Sequence, residues 1–72
     1  MRKTKQQKLV SITVEVDDGT ATAHYQFQGL PKTSLAHDED VSDWTDEDIK
    51  KVFVGLLDLS DREAKMITVD WL

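Results

Sequence analysis

Residues 9–28 read Leu9-Val-Ser-Ile-Thr-Val-Glu-Val-Asp-Asp-Gly-Thr-Ala-Thr-Ala-His-Tyr-Gln-Phe-Gln28, and this stretch decides the fold. Val10, Ile12, Val14 and Val16 alternate with Ser11, Thr13 and Glu15. Ala21, Ala23, Tyr25 and Phe27 alternate with Thr22, His24, Gln26 and Gln28. A period of two places each apolar set on one face of a strand. Between the two sets stands Asp17-Asp18-Gly19-Thr20. Asp-Gly favours a two-residue hairpin turn, because both central positions need positive φ.

A turn at Asp18-Gly19 opposes Val16 to Ala21, Val14 to Ala23, Ile12 to Tyr25 and Val10 to Phe27. Every inward residue then meets an inward residue. A slip of one would set apolar against polar along the whole hairpin. Turn chemistry and burial pattern therefore specify the same register.

Downstream, Gly29-Leu30-Pro31 ends the second strand, since proline cannot donate to a ladder. Residues 29–44 read as a long connection, tacked to the core by Leu30, Leu35 and Val41. A helix is expected over 45–59. Thr45 is a good N-cap, and Asp46, Glu47 and Asp48 put negative charge at the positive end of the helix dipole. Trp44 and Ile49 have hydrophobic-staple spacing. Ile49, Val52, Phe53, Leu56 and Leu57 form one apolar stripe. Ser60 to Glu63 has capping-box spacing and opens either a helical turn or the approach to the last strand. Alternation resumes over 65–71, with Ile67, Val69 and Trp71 inward.

These elements compose a small α+β unit of ββαβ type. The expected sheet has three strands, is mainly antiparallel with order 2-1-3 preferred and 1-2-3 as the alternative, and carries one helix on one face. Residues 1–8 read as a mobile basic arm and 9–72 as a single domain.

Seventy-two residues support one domain at most. A chain of this size buries only about 60% of its unfolded surface, which favours an exposed binding surface over a deep active site. Absence of cysteine excludes disulfides, thiolate metal sites and cysteine nucleophiles. No apolar run approaches the ~18 residues of a membrane span, and the alternating residues 9–16 do not resemble a signal peptide. A cytoplasmic protein with no membrane partner is expected.

The net charge of −5 hides an asymmetry. Arg2, Lys3, Lys5 and Lys8 give the first eight residues four positive charges, and the remainder carries an excess of nine negative ones. Asp38, Glu39, Asp40, Asp43, Asp46, Glu47 and Asp48 lie together with no basic residue among them. Such a run suits a protein partner with a basic surface, acting as an inhibitor or as a mimic of nucleic-acid phosphates. The plainer reading is a solvated loop followed by a helix start.

Alternatively, the basic arm follows a nucleic-acid backbone, although it lacks base-stacking aromatics. A third reading is a structural or assembly subunit that pairs through a sheet edge, with a homodimer as one outcome. No cofactor and no metal site are expected. Read as a calcium loop from Asp38, the run has Asp43 where glycine is required and Ile49 where the bidentate glutamate belongs. No catalytic residue is assigned. Ser34, His37 and Asp38 supply triad residue types, but proximity in sequence does not supply triad geometry. His24 and His37 are both expected to be solvated.

Overall fold

The computed structural model describes residues 8–72. Its elements are β1 (Leu9–Asp17), β2 (Thr20–Phe27), β3 (Thr33–Ala36), α1 (Asp46–Leu57), α2 (Asp61–Ala64) and β4 (Thr68–Trp71). The four strands form one mixed sheet in the order β3-β2-β1-β4. The class is α+β, with one strand and one short helix more than the sequence reading contains.

The hairpin has the expected turn. Asp18 and Gly19 take φ of 54° and 78°, the pair of positive angles a two-residue hairpin requires. Val16 pairs with Ala21, Val14 with Ala23 and Ile12 with Tyr25. The expected Val10–Phe27 pair is corrected. A bulge between Leu9 and Ser11 sets Leu9 opposite Phe27. The extra residue turns Val10 outward, 52% exposed, and delivers Leu9 to the core at 4%.

The connection over 29–44 is also corrected, because Thr33–Ala36 form β3, antiparallel to β2. Gly29, at φ 82°, makes the reversal, and Leu30 donates its amide to Phe27. Leu30 is exposed, Leu35 is half-buried and Val41 is fully buried. Of the three expected tacks, Val41 is therefore the deep one.

That additional strand reverses the chain direction before the helix. β4 consequently runs parallel to β1, pairing Thr13 with Thr68 and Val16 with Trp71. The antiparallel pairing expected there is corrected for this reason, although the last strand does lie beside β1. β4 starts only at Thr68, because Ser60 and Glu63 cap α2 reciprocally and the chain turns through Met66.

Helix α1 begins as the sequence implies. The Thr45 side chain accepts from the Asp48 amide at 3.2 Å, and the Asp48 carboxylate accepts from the Thr45 amide at 3.1 Å. Ile49 and Phe53 are fully buried against Ile12, Val14, Val16, Ala21 and Ala23, with Val41, Leu59 and Ile67 closing the core. Leu56, expected in the stripe, is exposed, and Val54 packs on the core instead. Trp71, expected inward, is 43% exposed at the sheet margin, where its indole N–H donates to Asp46.

Candidate functional site

Four segments meet at one end of the sheet: the β1–β2 turn, the end of β4, the loop before α1, and the first turn of α1. The Val41 amide donates to the Gly19 carbonyl at 2.9 Å. A Cβ at Gly19 would lie 2.7 Å from Asp40 Oδ1 and 2.9 Å from Ser42 Oγ. The acidic loop is therefore pressed against the hairpin tip. The Leu72 amide donates to Val16 at 2.9 Å, and Trp71 reaches Asp46. Sequence order separates Asp17 and Asp18 from the acidic run by twenty residues or more. The fold brings them to the same end.

The seven acidic residues divide by role. Asp40 accepts from both the amide and the hydroxyl of Ser42. These bonds, the hydroxyl's first, hold its carboxyl below the usual range. Asp48 completes the helix cap, and Asp46 receives the indole N–H. The Asp38, Glu39, Asp43 and Glu47 side chains are exposed and have no hydrogen-bond or ion-pair partner among the described residues. Of the alternative nucleic-acid set, Arg2, Lys3 and Lys5 lie outside the described residues. Lys8 is exposed, and its carbonyl accepts from Gln28 at 2.7 Å at the far end of β1.

The sheet face away from α1 is polar and open. Across it, Ser34 Oγ lies 2.8 Å from His24 Nδ1, and His24 Nε2 lies 3.1 Å from Glu15. Ser34, His24 and Glu15 sit on three adjacent strands: Ser34 is directly opposite His24, and Glu15, opposite Thr22, reaches His24 diagonally. Proximity in sequence groups Ser34 with His37, and the structure replaces that partner with His24. Alternation showed which face each residue occupies, but β3 had to be known before Ser34 could be placed beside His24. The connectivity resembles a nucleophile, a base and its orienter. Ser34 and His24 are both exposed to water on this face. An open groove of about 370 Å³ adjoins this line, bounded by Glu15, Asp17, Thr20, Thr22, His24 and Leu72.

His37, expected to be solvated, is half-buried. Its ring lies 5.3 Å from that of Trp44 and 6.3 Å from that of Phe53, and its Nδ1 accepts from the Glu39 amide. It anchors the start of the acidic loop. Among the described residues no cluster of three or more His, Asp or Glu side chains has the arrangement to hold a metal, and no helix is long and apolar enough to cross a membrane. No protein-family model, no curated protein and no solved structure matches the chain.

Proposed function

We propose that the protein is a small acidic binding module that engages a basic surface of a protein partner through this end of the sheet. The observation that carries the reading is the packing of the acidic loop on the hairpin tip, Val41 and Asp40 against Gly19, which joins Asp17 and Asp18 to the segment that carries the exposed Asp38, Glu39 and Asp43 and leads into Glu47. Like charges gathered at one end repel one another and destabilise the compact state. A cationic partner relieves that repulsion as it binds. Asp40, Asp46 and Asp48 shape the surface through the bonds they make within it, and the exposed four supply its free charge. The exposure of Ser34 and His24, beside a groove open to water, favours binding over acyl-transfer chemistry for this chain.

Charge neutralisation without change of shape tests the proposal. A variant carrying Asp38→Asn, Glu39→Gln, Asp43→Asn and Glu47→Gln should keep the wild-type circular dichroism spectrum. It should lose salt-sensitive capture of its partner from the native cell extract. Capture undiminished in the folded variant overturns the reading. The inhibitory, phosphate-mimicking form of the proposal further requires that duplex DNA compete for the captured partner.

A further inference from the structure

Strand β3 closes one side of the sheet, and its hydrogen-bond phase can be read from its neighbours. His37 donates its amide to the Ala21 carbonyl at 2.8 Å, in the same register that pairs Ala23 with Leu35 and Tyr25 with Thr33. Bonded and non-bonded pairs alternate along an antiparallel ladder. Residues 33, 35 and 37 therefore direct their backbone groups to β2, and Ser34 and Ala36 direct theirs away from the sheet. This outward row belongs to Thr-Ser-Leu-Ala, which contains no charge and no proline. Charge and proline are two of the devices that ordinarily keep an edge from pairing; here they stand just outside the strand, at Pro31 and Lys32, and shortness, a third device, is present in its four residues. The opposite edge, β4, carries Asp70.

We propose that β3 pairs antiparallel with β3 of a second copy, about a two-fold axis at Leu35, to give a continuous eight-stranded sheet. The phase allows only registers that oppose even-numbered residues. Among these, the register opposing Ser34 to Ala36 sets Lys32 against Asp38 of the second copy, twice by symmetry. Neither Lys32 nor Asp38 has an ion-pair partner among the described residues. Moving one step either way sets Lys32 against Ala36, or against Asp40, whose carboxylate is already engaged by Ser42. The chosen register also brings Leu35 against its own symmetry mate. Leu35 and its neighbour Tyr25 are half-buried on the core face, so the apolar layer continues across the axis. Ser34, bonded to His24, stays on the open face.

Because the chain contains no cysteine, the register can be read by cross-linking. Under mild oxidation Leu35→Cys should form a disulfide-linked dimer, since directly opposed residues of this type lie about 4.5 Å apart at Cα. Thr33→Cys should not, because its copies stand four residues out of step, roughly 13 Å apart. Sedimentation equilibrium of the otherwise unaltered chain should show a monomer–dimer equilibrium. Ala36→Pro removes only an outward donor, so it should leave the folded spectrum intact and abolish the dimer. Lys32→Asp and Asp38→Lys should each weaken the dimer roughly fivefold, and together restore it. A chain monomeric at millimolar concentration overturns the proposal. So does cross-linking of Thr33→Cys as efficient as that of Leu35→Cys.

Discussion

Gly19 and Asp40 show how single residues hold the acidic loop in place. Gly19 combines positive φ with contact, whereas Gly29 combines a similar φ with open space. Alanine at Gly29 should cost about 1–2 kcal/mol, the penalty of a side chain in the left-handed region. Alanine at Gly19 should cost more, because its methyl group also displaces Asp40 and Ser42. Denaturant titration of both variants gives the comparison. In a double-mutant cycle, Asp40→Ala should recover part of the excess cost at Gly19, leaving the share due to Ser42, and nothing at Gly29. Equal costs would show that the loop does not rest on the turn. Asp40 also makes a pH signature. Its folded carboxyl is held below the ordinary value of 3.8, first by the Ser42 hydroxyl and then by the Ser42 amide. As pH falls, the unfolded chain therefore binds the proton first, and stability is lost. The advantage of wild type over Asp40→Asn should be present above that value and shrink as pH falls through it and toward the folded pKa. An advantage independent of pH would remove the carboxylate from this role.

At the scale of elements, the expectations that succeeded are those fixed by neighbouring residues. The hairpin register came from Asp18-Gly19 together with alternation, and the helix start from Thr45 with its acidic turn. Thr45→Ala removes the acceptor for the Asp48 amide and should cost about 1 kcal/mol in denaturant titration. A change within error would mean that the helix start does not depend on this cap. What the sequence concealed was β3. Only Leu35 in Thr33–Ala36 is a large apolar residue, too little for a period-two signal, and pairing with β2 supplies the order. One hidden strand changed the direction of everything after it, turning an expected antiparallel neighbour of β1 into a parallel one. The site followed the same division. The acidic run was legible as composition, whereas its contact with the hairpin tip is a tertiary fact. The bulge that exchanged Val10 for Leu9 could not be read from alternation, which both residues can satisfy by a local slip.

Residues 8–72 form an elongated body of 35 × 22 × 20 Å, with the exposed carboxylates of the hairpin tip, the acidic loop and the start of α1 at one end of the sheet. Lys8 stands at the other end of β1, nine residues or roughly 30 Å away. That separation exceeds the ~10 Å Debye length at 0.1 M salt, so Lys8 does not screen the acidic end through the body of the domain. Repulsion there is relieved by mobile ions or by a partner. Raising salt from 0.05 to 0.5 M should therefore raise the melting temperature of wild type. Neutralising Asp38, Glu39 and Asp43 should raise it at low salt and flatten its salt dependence. Glu47 is left out of this variant, because its charge also favours the helix dipole and would offset the gain. Loss of binding combined with gain of stability distinguishes a surface kept for a partner from a surface kept for folding. If the three neutralisations lower the melting temperature at every salt concentration, the carboxylates serve the fold itself, and the case for a basic partner loses its physical basis.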